Sequence, residues 1–299
     1  MTPPCTRQTL LDFQPQHRTL VGIDSDGCVF PTMEAKQLQC FFPAFVEHWH
    51  LQAIAPAVRE TLAFVNLYSR TRGQNRFLAL LQMADLLRQR PEARRAGVAL
   101  PEFPDLRRWV AAGGPLSNAA LSAAVRSSGS AELAAVLRWS EAVNERIARQ
   151  IRSLPPFDGA AAALDRIARD SDILCVSQTP AEALAREWRE SGLDRCLFAI
   201  AGQEVGSKSE QLAFAGRGKY PPQAVLMIGD APGDLQAAAD NQALFYPILP
   251  GREPESWQRL RAEAYDRFLA DAFAGAYQQA LIAEFEALLP ERPPWERQL

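Results

Sequence analysis

The sequence predicts an α/β fold: a doubly wound parallel sheet with an all-helical cap domain. The first observation is that short apolar runs alternate with helical segments after about residue 156, as in a parallel sheet whose crossovers are helices. The second is a long region, from about 33 to 152, with helical periodicity and almost no strand signal. A single apolar run at about 19–24 precedes that region, so the helices are predicted to be an insertion after the first strand.

The first half of the chain begins with an expected irregular lead-in, up to about residue 16. The helices predicted after the first strand cover about 33–50, 56–72, 75–90, 104–112, 117–126 and 130–152. Gly113-Gly114-Pro115 is a strong turn signal within this region, and Pro155-Pro156 ends it.

The second half is predicted to contain a helix at about 158–170 and the strands 172–177, 197–201, 224–228 and 244–248. Pro247 cannot donate to a ladder, so it predicts an edge position for the last strand. Two capping boxes, Thr179 with Glu182 and Ser207 with Glu210, predict helix starts, the former with proline at the first helical position. Amphipathic helices are predicted at about 253–269 and 271–289.

These elements predict three parts of the chain. Residues 1–31 and 156–252 are expected to form the α/β core, and residues 32–155 the helical cap. Residues 253–299 are expected to form a helical extension, packed on the core or on a dimer surface.

The composition of the chain narrows the classes of protein to which it can belong. The chain has 299 residues, of which 47% are hydrophobic and 22% charged, and its net charge of −3 does not suggest a general nucleic-acid or membrane-surface binder. No apolar run is long enough to span a bilayer, and the N-terminus lacks the pattern of a signal peptide. Five cysteines without a CxxC pair fit a reducing compartment. We therefore expect a cytoplasmic protein, with a homodimer as one possibility.

Polar residues follow the predicted strands at the points where ligands bind in an open parallel sheet. They are Asp24, Asp26, Ser177, Lys208, Asp230 and Asp234. A buried strand does not need two carboxylates at its end, and removing them from water is costly without a compensating cation or donors. The sequence therefore predicts an active site with a divalent cation at this edge.

In their order and spacing these residues resemble the four motifs of the haloacid dehalogenase-like superfamily of aspartate-nucleophile hydrolases. Asp24-Ser25-Asp26-Gly27-Cys28-Val29 resembles the first motif, Ser177 the second, Lys208 the third and Gly229-Asp230-Ala231-Pro232-Gly233-Asp234 the fourth. The resemblance covers about 19–248, and the helical insertion is similar to the cap domain of that superfamily. Ser209 follows Lys208 where the superfamily frequently has proline.

An ionised Asp24 can attack phosphorus to give an aspartyl phosphate, and a hard, oxygen-ligated Mg²⁺ would neutralise the charge of the two anions. The implied Mg²⁺ ligands are the carboxylates of Asp24 and Asp230 and the backbone carbonyl of Asp26. Asp234 is either an additional contributor or a helix-start residue. The Asp26 side chain is placed to protonate the leaving oxygen and to deprotonate water, and within the superfamily an acid at this position implies phosphate esters.

Ser177 is the candidate donor to a phosphate oxygen, with Gln178 beside it as a substrate contact. Thr179 competes with Ser177 for that role, but the predicted capping box already accounts for its hydroxyl. Lys208 stands at a helix start, where a cation opposes the helix dipole, so a purely structural role is less expected. By the resemblance, Lys208 holds Asp24 and the phosphate.

Substrate selection is expected in the cap. Its candidate residues, grouped beside a glycine break, are Tyr68, Arg72, Asn75 and Arg76. Such a cluster could hold an anionic or polyhydroxy part of a substrate. The alternative is a polar helix–turn–helix corner in solvent, which is slightly favoured.

The predicted function is Mg²⁺-dependent hydrolysis of a small phosphorylated metabolite. A phosphomutase built from the same residues is the first alternative, because no residue decides between the two. A non-catalytic binding protein of the same fold is the second, and the presence of every acid and the lysine argues against it.

Overall fold

The computed structural model describes residues 5–152 and 154–298, which form two compact units. The first unit contains residues 5–33 and 154–289, and the second contains residues 34–152 and 290–298. The predicted extension 253–299 is therefore divided, with its last described residues grouped with the helical unit. Residues 1–4, 153 and 299, which the predicted ranges include, lie outside the described residues.

The first unit is built on a five-stranded sheet in the order β3-β2-β1-β4-β5, in which every neighbouring pair is parallel. Its strands are β1 Thr19–Ile23, β2 Ser171–Val176, β3 Ala199–Ala201, β4 Val225–Gly229 and β5 Leu244–Pro247. The doubly wound parallel fold is confirmed. The edge position that Pro247 predicts for the last strand is also confirmed, because β5 pairs with β4 and ends the sheet.

Both faces of the sheet are covered, as the alternation of side chains along each strand requires. Val21 and Ile23 of β1 belong to one apolar core, whereas Leu20 belongs to the other. The helices of this unit are α1 Arg7–Asp12, α2 Thr32–Lys36, α10 Ala160–Ile167, α11 Ala181–Glu190, α12 Lys208–Gly216, α13 Pro232–Asp240, α14 Glu253–Arg259, α15 Tyr265–Leu269 and α16 Ala276–Ala287, with α2 continuing into the second unit.

Among the described residues of the second unit, all regular secondary structure is helical, and its own core is rich in leucine and aromatic side chains. A π-helical turn, Gln37–Phe41, follows α2. The further helices are α3 Phe42–His48, α4 Ala55–Leu67, α5 Arg76–Gln89, α6 Pro91–Ala96, α7 Pro104–Ala111, α8 Asn118–Ser128 and α9 Ala131–Gln150. Within the described chain, none of the helices is both long and apolar enough to cross a membrane.

Some local predictions are wrong, and α16, for example, begins at Ala276, five residues after its predicted start. The lead-in contains α1, whose N-cap Thr6 forms a capping box with Thr9, a signal too short to stand out beside the neighbouring prolines. Helix α4 ends at Leu67, five residues before its predicted end, because the chain leaves helical geometry at Tyr68. The capping box at Thr179 does not form, because the N-cap of α11 is Pro180 and the Thr179 hydroxyl bonds elsewhere.

The C-terminal helices cover the core of the first unit. Trp257, Tyr265 and Phe268 are buried in the same apolar core as Val21 and Ile23. One of the two predicted locations, packing on the core, therefore holds for α14 and α15. A dimer surface stays a prediction.

Candidate active site

The candidate site lies within the first unit, at the carboxyl ends of its strands. Asp24 directly follows β1, Ser177 follows β2, and Asp230 follows β4. Lys208 is the first residue of α12, and Asp234 lies in the first turn of α13. A parallel sheet brings these strand ends to the same edge, so the fold assembles residues that are up to about two hundred positions apart.

Three carboxylates form a buried group at this edge, here called the carboxylate cluster: Asp24, Asp230 and Asp234. One oxygen of each lies within 4.8 Å of the others, and each residue is at most 2% exposed. Carboxylate oxygens are the ligands that hard divalent cations such as Mg²⁺ prefer, so the donor set fits such an ion. The side chain of Asp26 is not part of the carboxylate cluster. Its backbone carbonyl stays a predicted Mg²⁺ ligand.

Lys208 bridges two members of the carboxylate cluster. Its ammonium group donates to Asp24 Oδ2 and to Asp234 Oδ1, at 2.7 Å in each case. Burial disfavours the charge on Lys208, but the attraction of Asp234 and Asp24 outweighs it and raises the lysine pKa. Lys208 therefore stays charged, and the predicted contact between this lysine and Asp24 is present in the structure.

The ionisation of Asp24 depends on its surroundings. Burial raises its pKa to about 7, while the charge of Lys208 opposes the rise and that of Asp234 adds to it. Burial also raises the pKa of Asp234. One ammonium group thus contacts two members of a cluster of three carboxylates, and a further cation would favour the ionised forms of all three.

Asp234 has the helix-start role that the sequence left open, while its contribution to a metal site stays a prediction. Its Oδ2 accepts from the backbone N–H of Ala231, 3.0 Å away, at the start of α13, while Oδ1 accepts from Lys208. Gly229 allows this arrangement, because a Cβ at that position would lie 2.2 Å from the Asp234 Cγ. The last residue of β4 must therefore be glycine for Asp234 to fold back as it does.

The turn after β1 is supported by two buried tryptophans. The indole N–H of Trp188 donates to the Ser25 hydroxyl, and that of Trp257 donates to the Cys28 carbonyl, both at 3.0 Å. Gly27 supplies the left-handed residue of the turn, with φ of 83°. The two proposed catalytic acids, Asp24 and Asp26, thus lie on a turn whose backbone and side chains are hydrogen-bonded to tryptophans at Ser25 and at Cys28.

Asp26 is half-buried, and hydroxyl groups hold both of its carboxylate oxygens. Thr179 donates to Oδ2 at 2.6 Å, and Thr32 donates to Oδ1. The sequence patterns predict neither of these contacts. Thr179 was assigned to a helix cap, and nothing in the local pattern around Thr32 indicates a contact with Asp26.

The segment after β2 is fixed by the buried side chain of Gln211. Its amide accepts from the Ser177 N–H at 3.1 Å and donates to the carbonyls of Ser177 and Gly206 at 3.0 and 2.9 Å. The hydroxyl of Ser177 accepts from the Thr179 N–H at 3.2 Å. The exposed Gln178 donates to the Gly206 carbonyl. Its contact with substrate stays a prediction.

Cys28 lies on the acidic turn but is not placed to act as a nucleophile. Burial, together with the nearby charges of Asp230 and Asp24, raises the pKa of its thiol, so the thiol stays protonated. All five cysteines are buried free thiols.

The predicted substrate residues of the helical unit have partners inside that unit. Arg76 donates to Ser140 and Asn144, and Asn75 caps α5 and donates to the Leu116 carbonyl. Buried Arg72 donates to the Leu67 carbonyl, and Tyr68 is 44% exposed. Internal contacts account for the two arginines and Asn75, but Arg72 is only 5% exposed, so this corner does not lie in solvent as the favoured alternative predicts. A substrate role for these residues stays a prediction.

Comparison with known proteins finds likenesses among solved structures. No protein-family model matches the sequence, and no curated protein matches it significantly. A β-phosphoglucomutase from Clostridium difficile shares 14% identity and a TM-score of 0.48, over 86% of this chain and 98% of that one. A predicted phosphoglycolate phosphatase from Haemophilus somnus shares 14% identity and a TM-score of 0.46, over 77% and 84%.

A third structure, a HAD-superfamily hydrolase of subfamily IA from Geobacter sulfurreducens, shares 15% identity and a TM-score of 0.43, over 77% of this chain and 86% of that one. At these identities and TM-scores, none of the likenesses bears on what this chain binds or does. The sheet and the four motif positions at its strand ends are features of the chain itself. In these features, the chain is similar to the haloacid dehalogenase-like hydrolases.

Proposed function

We propose that this chain is a Mg²⁺-dependent phosphatase that hydrolyses a small phosphorylated metabolite through an aspartyl phosphate on Asp24. The observation that carries the proposal is the buried carboxylate cluster, bridged by Lys208, with Asp26 two residues beyond Asp24. A hydrolase of this type needs an anionic nucleophile, a cationic environment for the phosphate and an acid/base near the ester oxygen. The chain supplies each of them at one edge of its sheet.

The residues of the carboxylate cluster would hold Mg²⁺, together with the Asp26 carbonyl. When bound, Mg²⁺ supplies positive charge that lets one anion approach another. An Asp24 oxygen attacks phosphorus, the bond to the ester oxygen breaks, and Asp26 donates a proton to that oxygen. Asp26 then removes a proton from water as the water attacks phosphorus, which releases phosphate and restores Asp24.

Lys208 and Ser177 bind and orient the phosphate in this scheme. The ammonium group balances charge beside Asp24, and the Ser177 hydroxyl donates to a phosphate oxygen. The preference for a small metabolite rests on the helical insertion after β1, which is predicted to exclude water as a cap.

The test is Asp24→Asn, which removes the nucleophilic oxygen without a large change in shape. With Mg²⁺ present, wild-type protein is expected to release phosphate from members of a panel of phosphorylated metabolites. Asp24→Asn and chelation by EDTA are expected to reduce that release by at least about a hundredfold. Asp12→Asn, the same change at an exposed position, is the control.

Full phosphate release by Asp24→Asn, or by wild type in EDTA, would contradict the proposal. So would inactivity of wild type across the whole panel. Isomerised sugar phosphate in place of free phosphate would favour the phosphomutase alternative.

A further inference from the structure

Thr179 makes a contact that neither its neighbours nor the four motifs predict. Its hydroxyl donates to Asp26 Oδ2 across 153 positions of sequence, at 2.6 Å. The other oxygen of Asp26 accepts from Thr32. The proposed acid/base therefore does not rotate freely, because each carboxylate oxygen has a specific donor.

The position of Thr179 is itself well determined. Its N–H donates to the Ser177 hydroxyl at 3.2 Å, and its carbonyl accepts from the Gln203 N–H at 3.1 Å. Pro180 follows and restricts the backbone of Thr179 further. Through these bonds Thr179 connects Asp26 to the segment that carries Ser177, the proposed phosphate-binding hydroxyl.

Thr32 holds the other oxygen from a different kind of position. It is the first residue of α2 and lies one residue before the end of this stretch of the first unit. Thr179 stands instead between β2 and α11, both packed in the core of the first unit. Of the two donors, Thr179 is the closer along the chain to a strand, three residues after the end of β2, whereas Thr32 lies nine residues after the end of β1.

We propose that Thr179 is a positioning residue, which holds Oδ2 of Asp26 so that Oδ1 exchanges Thr32 for the ester oxygen of the substrate. This inference rests on the proposed phosphatase function. In the first half-reaction the Asp24–phosphorus bond forms and the ester bond breaks. When the ester oxygen replaces Thr32, Oδ1 carries a proton taken from solvent; that proton passes to the leaving oxygen, and Asp26 is left as a carboxylate. In the second, Oδ1 accepts a proton from water as oxygen attacks phosphorus and Asp24 departs, so the starting protonation state returns.

This role has a consequence for substrate dependence. An alkoxide leaves poorly without a proton, whereas para-nitrophenolate is stable without one at neutral pH. A residue that orients the acid should therefore affect the rate of the first half-reaction for an alkyl phosphate, and much less so for para-nitrophenyl phosphate. Loss of a residue that binds the phosphate should instead lower the rate for both esters.

The experiment compares Thr179→Val and Thr179→Ser with wild type, using glycerol phosphate and para-nitrophenyl phosphate with Mg²⁺. For Thr179→Val, kcat/KM on glycerol phosphate, which reports formation of the aspartyl phosphate, is expected to fall about tenfold or more, and kcat/KM on the aryl ester to change by about twofold at most. Thr179→Ser keeps the hydroxyl and is expected to restore most of the rate. Melting temperatures measured in parallel show whether each variant is folded.

A double-mutant cycle with Asp26→Asn keeps the inference falsifiable even if Thr179→Val is less stable. If Thr179 acts through Asp26, adding Thr179→Val to Asp26→Asn should cause no further loss on glycerol phosphate. Additive losses, equal losses of kcat/KM on both esters, or failure of Thr179→Ser to restore activity would overturn the role. If wild type hydrolyses neither these esters nor the metabolite panel, the proposed function itself fails; if wild type is active and the Thr179 variants match it, only this inference fails.

Discussion

Gly229 and Asp234 show how local space determines the geometry of the candidate site. The last residue of β4 has no side chain, and the carboxylate of Asp234 occupies the volume that a Cβ would fill. From there Asp234 reaches both the start of α13 and Lys208. Small changes at position 229 should therefore be transmitted directly to the carboxylate cluster.

We predict that Gly229→Ala displaces the Asp234 carboxylate, because backbone and side chain cannot share that space. The expected result is a loss of about 1–3 kcal/mol in the free energy of unfolding and about tenfold weaker Mg²⁺ binding. Isothermal titration with Mg²⁺ and urea unfolding measure the two effects. Gly114→Ala is the control, since a Cβ there meets nothing within 4 Å. Wild-type Mg²⁺ affinity in Gly229→Ala would show that Asp234 is not part of the metal site.

Among the elements, α11 and α14 do more than cover the sheet. Each contributes a buried tryptophan whose indole N–H bonds to the turn that carries the two acids. Helix α14 lies outside the stretch that resembles the superfamily, yet its Trp257 contacts that turn at Cys28. The C-terminal helices are thus part of what holds the candidate site in shape.

We predict that Trp257→Phe destabilises the protein more than Trp139→Phe does. Both substitutions remove a buried indole N–H, but Trp257 donates to the Cys28 carbonyl, whereas no partner for the Trp139 N–H is present in the described part of the chain. The difference should be about 1–3 kcal/mol, the cost of leaving a buried carbonyl unpaired. Urea unfolding followed by circular dichroism measures it. Equal losses would mean that packing alone, and not the hydrogen bond, stabilises the turn.

On the scale of the whole molecule, the chain passes between its two units more than once. It enters the helical unit after residue 33, returns to the first unit near residue 153, and joins the helical unit again after residue 289. In that last segment Trp295 lies against the guanidinium of Arg90, 4.4 Å from the ring centre, and edge-on to Phe64. Arg90 is buried and paired with Glu60 and Glu92. The last described residues therefore stabilise the helical unit.

We predict that Trp295→Ala weakens the helical unit by about 1–3 kcal/mol, because it removes a cation–π contact and an aromatic pair. Amide hydrogen exchange in α4 and α6, which carry Phe64, Glu60 and Glu92, should become faster. Glu296→Ala, a change at the exposed neighbouring residue, is the control and should leave exchange unchanged. If amide exchange in α4 and α6 is unchanged in Trp295→Ala, the last described segment does not stabilise the helical unit.

The sequence by itself determined the class of fold and the edge of the sheet where the candidate site lies. Apolar runs and helical periodicity are local patterns, and the rule that parallel strands end at one edge turns their order into a location. Asp24, Asp230 and Lys208 could therefore be predicted as neighbours without coordinates. Helix ends were less predictable, as α4 shows, because a few residues of periodicity beyond Leu67 do not decide where the backbone turns away.

Only the tertiary structure decided the partners of individual side chains. Thr179 has a local pattern typical of a helix cap, but a carboxylate 153 positions away offers a stronger acceptor. The polar corner around Arg76 and the return of Trp295 to the helical unit depend in the same way on residues distant in sequence. The physical reason is that a hydrogen bond or ring contact depends on which surfaces packing brings together, and the periodicity of a single segment does not contain that information.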